Sequence, residues 1–298
     1  MALFGPQYFK TLVAVGGENK KKFQCYATGF LIGFIARKTK DPSKKLYYAF
    51  LITNRHVFED KEYISLRFNK KNGKTRIFRQ SLFFPNKETK WLAHPNKKVD
   101  IALLNINTRI LYENEIDFKF FPEELFAYYN QFEKIGIETG DEVYVLGFPL
   151  GMAGVTQNYP CLKWGIISRL DRELKKEQKS FFIDSSIFPG NSGSPVISKP
   201  PANALTGTKI VSAVYLLGLV KSYIPYEEAL YTHQTKPYTV VSLSRENSGL
   251  ASVIPMDFAR QIFKRWKTKK KRLEKAQEQI QSKPSSNIVP IQTINNKK

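Results

Sequence analysis

Short runs of β-branched and aromatic residues recur along this chain, each closed by turn residues or charges. They include "FQCYATGFLIGFIAR", "LYYAFLITNRHVF", "EYISLRF", "VDIALLNI", "DEVYVLGFP", "CLKWGIISRL", "KSFFIDSSI", "SPVIS", "KIVSAVYLLGLV" and "GLASVIP". Close spacing of such runs predicts an all-β sandwich or barrel. A helical period is clear only from Met256, where Ala259, Ile262, Phe263 and Trp266 share a face and Pro255 suits the start. A short helix is expected at "PEELFAYYNQF", between two groups of strands. The simplest architecture using every element is two six-stranded-type β-barrels followed by a C-terminal α-helix. The first barrel is expected at about 8–110, a linker at about 111–138 and the second barrel at about 139–255. A basic amphipathic helix at 256–280 and a flexible polar tail at 281–298 complete the chain, residues 1–263 forming the main domain.

Composition agrees with a globular chain: 298 residues, 42% hydrophobic and 13% aromatic. Cys25 and Cys161 cannot build a disulfide framework, no apolar run is long enough to span a bilayer, and the N-terminus lacks a signal-peptide core. A cytoplasmic protein is therefore expected. The net charge of +21 favours anionic partners. Much of it is scattered in "NKKNGK", "PSKK" and "ELKKEQK", read as exposed hairpin tips serving solubility. The rest is dense: eight of the twelve residues from Lys264 to Lys275 are Lys or Arg. There, Lys264, Arg265, Lys267, Lys269, Lys270, Lys271 and Arg272 are candidates for binding nucleic acid or a protein partner. The dispersed histidines and cysteines give no metal-site spacing, and no phosphate-cradling motif is present, so no cofactor is expected.

The stretch "FPGNSGSPV", Phe188 to Val196, disfavours both helix and regular strand. It is either a plain turn or a sharp bend presenting Ser192 beside converging backbone N–H groups. A serine nucleophile needs a base, and the base needs an orienting group. Of three histidines, His56 follows an apolar strand, whereas His94 and His233 have the context of surface or capping residues. Asp100 is the acid that enters a long apolar strand, where a carboxylate is costly unless paired. The α/β-hydrolase pattern fails, because Ser194 stands where its elbow needs Gly and the chain order is wrong. The order His56, Asp100, Ser192 on a β-rich chain is the chymotrypsin arrangement.

With "ATGFLI" (27–32), "LITNRHV" (51–57), "HPNKKVDIALL" (94–104), "GDEVYVLGFPLG" (140–151), "GIIS" (165–168), "DSSIFPGNSGSPV" (184–196), "KIVSAV" (209–214) and "GLASVIP" (249–255) in order, the sequence resembles trypsin-like serine proteases of the chymotrypsin fold. It is similar in particular to HtrA-like (Deg-type) and related bacterial peptidases. That resemblance implies a serine endopeptidase acting on protein or peptide substrates, with His56, Asp100 and Ser192 catalytic. It implies an oxyanion turn of Gly190, Asn191 and Ser192, with the N–H groups of Gly190 and Ser192 as donors. Gly190 is expected to be glycine because a side chain would obstruct the oxyanion. Ser186 and Ile187 are implied at the specificity pocket. Ser212, Ala213 and Val214 are implied on the strand that pairs with substrate, Ser212 also supporting Asp100. Asp184 has a counterpart with a structural role.

Departures from the family pattern carry information. Asn191 stands where digestive trypsins carry an Asp that pairs with a newly cut N-terminus, so activity without N-terminal processing is expected. Ser186 replaces the pocket-base Asp, and Val214 a wall glycine, which predicts small or medium aliphatic residues before the scissile bond and not Arg or Lys. Neither a signal sequence nor a PDZ module is read in the chain, and fold likeness does not import stress-protein biology. Control by a regulatory partner or by loop ordering is expected, with an effector in a larger assembly as one form. The alternative is a non-catalytic scaffold that binds nucleic acid or a protein through its basic segment.

Overall fold

Apolar side chains shape the first two fifths of the chain into one curled, mainly antiparallel sheet. In the computed structural model, which describes residues 5–19, 22–38, 45–199, 214–231 and 240–281, this sheet is built from β1 (Leu12–Asn19), β2 (Lys22–Lys38), β3 (Lys45–Thr53), β4 (Tyr63–Asn69), β5 (Thr75–Ser81), β6 (Trp91–Ala93), β7 (Ala102–Asn105) and β8 (Phe121–Pro122). Its order is β5-β4-β1-β2-β3-β7-β6, with β8 parallel to β2. The β5–β6 connection folds back on the sheet through Leu82 N to Glu62 O and Lys90 N to Leu82 O, both 2.8 Å. Inside lie Val13, Val15, Leu31, Leu51, Phe58, Leu66 and Leu104.

Strand β2 is buried on both faces, which is why "GFLIGFIA" reads as an unbroken apolar run. Ala27 and Leu31 enter the sheet's own core. Phe30 and Phe34 turn the other way, meeting Phe121 and Phe126 edge-on at 5.8 and 5.5 Å. Burying one such ring is worth roughly 1.5–3 kcal/mol, so the connection between the two sheets is anchored by its aromatic residues.

That connection contains α1 (Thr108–Glu113), capped by the Asn107 side chain, and α2 (Phe132–Ile135). Where one helix was expected at 122–132 there are two short 3-10 turns, Glu123–Leu125 and Tyr129–Gln131, before α2. The second half comprises β9 (Glu142–Gly147), β10 (Cys161–Arg169), α3 (Arg172–Gln178), β11 (Phe181–Asp184), β12 (Pro195–Ser198), β13 (Leu216–Tyr231), β14 (Val240–Pro255) and α4 (Met256–Gln281). Its strands close a six-stranded barrel in the order β10-β11-β14-β13-β12-β9, filled by Val143, Val145, Ile167, Ile183, Val196, Leu217 and Val253.

The double-barrel expectation holds, with the second barrel six-stranded and closed and the first an eight-stranded curled sheet. "ELKKEQK" is not a hairpin tip. It is α3, started by the Asp171 carboxylate, which accepts from Leu174 N at 2.7 Å. "NKKNGK" does lie at the β4–β5 turn, while "PSKK" lies outside the described residues except for Lys45, as does the polar tail beyond Gln281. The chain divides into two compact units, 1–262 and 263–298. Within the first, the start of α4 is fixed by Phe258 against His94 at 5.4 Å, Gln261 hydrogen-bonded to His94 at 3.0 Å, and Arg260 over Tyr128 at 4.4 Å.

Candidate active site

Strand β3 ends in two fully buried polar residues, Thr53 and Asn54, just before His56. Each makes a buried hydrogen bond: Thr53 Oγ1 donates to Thr28 O at 2.8 Å and Asn54 Nδ2 to Asp100 O at 2.9 Å, while Asn54 Oδ1 has no partner among the described residues. Asp100 immediately precedes the Ile101–Asn105 stretch that leads through β7. Its two carboxylate oxygens are divided over one residue: Oδ1 accepts from His56 N at 3.0 Å and Oδ2 meets His56 Nδ1 at 2.6 Å. A carboxylate only accepts, so Nδ1 carries a proton, and in the neutral imidazole Nε2 is then the nitrogen with the free lone pair.

Burial alone would push the Asp100 carboxyl up. Its hydrogen bonds and attraction to His56, together with the nearby Lys221 ammonium, more than offset this and hold it below the usual carboxylate range. The aspartate is three-quarters or more buried in its side chain, at 17% exposure, whereas the His56 side chain is half exposed. The imidazole thus has one anchored edge and one edge open to a reactant.

The serine turn is sewn to the first sheet by Thr28 of β2, a fully buried residue. Thr28 N donates to Ser192 O at 3.0 Å, Thr28 Oγ1 donates to Gly190 O at 2.8 Å, and the same hydroxyl accepts from Phe148 N at 3.0 Å. Gly193 has a φ of +82°, and a Cβ there would overlap Thr28 O and Thr53 Oγ1. The serine turn therefore presses directly on the residues that precede His56. Gly190 has a φ of +95°, and a Cβ there would overlap Phe148 O. The obstruction that demands glycine is thus the chain's own carbonyl.

Asn191 is fully buried, and its N–H is spent on Phe188 O at 3.0 Å. Its side chain accepts from Phe188 N at 3.3 Å and donates to Ser194 Oγ at 3.4 Å, so the turn is pinned from within. Among the described residues, the N–H groups of Gly190 and Ser192 have no protein acceptor, and no hydrogen bond joins Ser192 Oγ to His56. A hydroxyl, an imidazole with a free nitrogen and two unspent backbone donors are the parts that acyl transfer needs.

The expected substrate-side residues are placed differently. Ser212 and Ala213 lie outside the described residues. Val214 precedes Tyr215, which hydrogen-bonds Ser198 at the far end of β12, so Val214 does not border the serine turn. Ungapped counting from the family pattern puts this strand too early, because it takes no account of the length of chain between β12 and β13. The strand that meets the turn is β13 at Val220, whose O accepts from Gly193 N at 3.0 Å and whose N donates to Ser194 O at 2.9 Å. Lys221, Ser222 and Tyr223 follow it. Ile187 is a core residue, 1% exposed, so it offers no side chain to a pocket. Ser186 is exposed, and its carbonyl accepts from Lys163 Nζ at 2.5 Å. Asp184 is exposed at the end of β11.

A second support comes from β4. Arg67, only 6% exposed, donates from Nε to Asn158 Oδ1 at 2.7 Å and from Nη2 to Ala153 O and Gly154 O at 2.8 and 2.7 Å. The loop it holds carries Leu150, whose N donates to Pro189 O at 2.6 Å, beside Gly190. Sequence reasoning missed Thr28, Asn54, Arg67 and Lys221. The signal for the first two was a polar residue inside an otherwise apolar run; for Arg67 and Lys221 there was none.

The remaining candidates lie apart. His94 ties α4 to the first sheet, and His233 lies outside the described residues. A cleft of about 900 Å³ lined by Tyr129, Phe132, Leu170, Arg172 and Lys176 shares no residue with the serine turn. In the second unit, Lys264, Arg265, Lys269, Lys271 and Arg272 are exposed on α4. Lys267 lies over Phe263 at 5.7 Å and Lys270 over Trp266 at 5.3 Å. No helix among the described residues is long and apolar enough to cross a membrane, and no cluster of them has metal-ligand composition.

A curled antiparallel sheet followed by a closed six-stranded barrel, with histidine and aspartate on the first and serine on the second, is the chymotrypsin-like class. The family model of the trypsin-like peptidase domain matches residues 27–201, more than half of the chain, and the protein belongs to that family. It is similar to the apo protease domain of MamO from Magnetospirillum magneticum, with 13% identity and a TM-score of 0.46 over 86% of this chain and 97% of that one. It is similar also to the inactive form of Rv3671c from M. tuberculosis H37Rv, at 15% identity and a TM-score of 0.42, covering 87% and 88% of the two chains. The HtrA-type protease AlgW with a decapeptide gives 17% identity and a TM-score of 0.41 over 87% of this chain and 64% of that one. No curated protein sequence matches the chain.

Proposed function

We propose that the protein is a serine endopeptidase with a His56–Asp100–Ser192 triad. The observation that carries this reading is the two-point hold of Asp100 on His56, at 3.0 and 2.6 Å, on a base whose open edge belongs to the same compact unit as the serine turn. Ser192 Oγ attacks the scissile carbonyl as His56 Nε2 takes its proton, and Asp100 stabilises the imidazolium that forms. The N–H groups of Gly190 and Ser192 receive the oxyanion. His56 then returns the proton to the leaving amine, and water hydrolyses the acyl-enzyme by the same path. Losing one oxyanion donor of this kind typically costs 10²–10³ in turnover, roughly 3–4 kcal/mol.

Activity without N-terminal processing is part of the proposal. The internal hydrogen bonds of Asn191 support it, since they occupy the side chain that an incoming ammonium would otherwise fix. Full-length protein that becomes active only after N-terminal trimming would argue against it. A reducing, cytoplasmic setting suits the two free cysteines. Control by loop ordering fits a serine turn braced by the Arg67-held loop.

The scaffold reading draws on one observation, the missing hydrogen bond between Ser192 Oγ and His56. Catalytic hydrogen bonds are often long before substrate binds, so reactivity is the test. A fluorophosphonate probe should label the wild type and not Ser192→Ala, with parallel loss of cleavage of a denatured protein. A folded wild type that resists labelling, alone and with candidate partners or nucleic acid, would leave the scaffold.

A further inference from the structure

Beyond Tyr223, β13 leaves the barrel. Its pairing with β14 runs on through Pro225–Asn247, Tyr226–Glu246, Glu227–Arg245 and Glu228–Ser244 to Ala229–Leu243. Yet β12 meets β13 only over Leu216–Leu219, and β11 meets β14 only over Leu250–Val253. Over residues 225–231 and 240–247 the described sheet is therefore a two-stranded ribbon. Such a ribbon is marginal in water on its own, and its unpaired backbone groups are a template for another strand. Among the described residues, nothing pairs with the outer edge of β13 from Lys221 to Ala229.

Continuity with the serine turn fixes what fits that edge. β12 and the turn at Gly193–Ser194 occupy it up to Val220, so a peptide continuing their line begins at Ser192. Laid antiparallel to β13, its scissile end faces Ser192 and its N-terminal side runs outward along the ribbon. Main-chain bonds would supply affinity, and side-chain contacts selectivity.

Charge indicates the selectivity. Cross-strand register puts Tyr226, Glu228 and Glu246 on one ribbon face, while Glu227 lies on the other and is neutralised by Arg245 at 2.9 Å. Glu228 and Glu246 are exposed and have no ion pair among the described residues. In a chain of net charge +21, this leaves a locally acidic face on an edge continuous with the serine turn.

We propose that the β13–β14 ribbon is an upstream docking strip, which takes the substrate segment N-terminal to the scissile bond as an added antiparallel strand and selects basic side chains in it. This rests on the endopeptidase reading. Counted along β13 from Lys221, whose register against β14 shifts at Lys221 and again at Ile224, Tyr226 and Glu228 set the preferred basic positions at about six to eight residues before the scissile bond. Pro225, lacking an N–H, interrupts the ladder and limits indiscriminate strand addition.

The test uses full-length Ser192→Ala protein and three fluorescent peptides. They share an aliphatic C-terminal half and carry Lys, Ser or Glu at the sixth and eighth upstream positions. Anisotropy should show the Lys peptide binding at least tenfold more tightly than the Glu peptide, with the difference shrinking in salt. Hydrogen exchange should slow at residues 221–229 when it binds. In Glu228→Lys/Glu246→Lys the order of the peptides should invert. Equal affinities, no binding, or tight binding of the Lys peptide without slower exchange at 221–229 would each overturn the proposal. Probe labelling of Ser192 in the wild type reports separately on the endopeptidase reading, so a silent serine and an idle ribbon are told apart.

Discussion

Asp100 is where local chemistry and stability meet most directly. Its carboxylate accepts from both His56 N and His56 Nδ1. Asn in its place could satisfy one partner as an acceptor but would present N–H donors to the other, favouring the wrong imidazole tautomer. Asp100→Asn should therefore lower turnover by the order of 10⁴-fold while the protein stays folded, measured on any peptide or ester that the wild type cleaves. The same residue sets an acid limit on stability. Its folded pKa lies below the unfolded value of about 3.9, so its stabilising contribution is complete above that value and is lost as pH falls through the lower folded one. The Tm gap between wild type and Asp100→Asn should be constant above about pH 5 and narrow below about pH 4; a gap that widens on acidification would contradict the assigned shift. The pairing of His56 with Asp100 and the bend at Ser192 could be read from the chain because each residue sits in a short motif. Thr28 left only the faint signal of a polar residue in the apolar run "ATGFLI", because the three hydrogen bonds that tie it to the second half of the chain come from residues 120 and more positions away.

Elements were legible wherever one face met one core. Most strands of the two sheets follow from apolar runs, though β1, β5, β6 and β8 were not among them, and the start of α4 follows from its period. Short helices were not: α3 has seven residues, too few to display a period among lysines. The register of β13 failed for a different reason, since "KIVSAV" and "LLGLVK" are equally strand-like and only long-range pairing with Ser194 decides between them. The loop from Pro149 to Asn158 shows how such long-range contacts serve the site. Arg67 fixes one end of it to β4, and Leu150 at the other end bonds Pro189 beside Gly190. Removing the guanidinium would leave Gly154 O and Asn158 Oδ1 short of a donor, at about 1–3 kcal/mol for each group that water does not reach, while Ala153 O keeps Tyr159 N. Arg67→Met should lower Tm and slow probe labelling of Ser192, with Arg67→Lys intermediate in both because it keeps a charged donor. A folded Arg67→Met protein that labels at the wild-type rate would show that the loop does not position the serine turn.

At the scale of the whole molecule, the charge is unevenly spent. Many lysines in the first unit are matched locally: Lys10 with Asp117, Lys45 with Glu124, Lys175 with Asp257 and Lys199 with Glu142. The ribbon is acidic, whereas the seven cations from Lys264 to Arg272 share α4 with no acidic residue among them. A basic helix with the half-buried Trp266 on it has the ingredients for single-stranded nucleic acid, namely phosphate neutralisation and a ring for stacking. Each phosphate neutralised on a single strand contributes about −0.7 to the slope of log K against log salt, so seven cations set a limit near −5. The full-length protein should bind a labelled oligonucleotide with a slope of several units. Changing the seven residues together to Gln should flatten that slope and remove most of the affinity, while leaving labelling of Ser192 intact. If the Gln variant kept its affinity, the excess charge would act through the scattered lysines of the first unit, and the helix would contribute solubility alone.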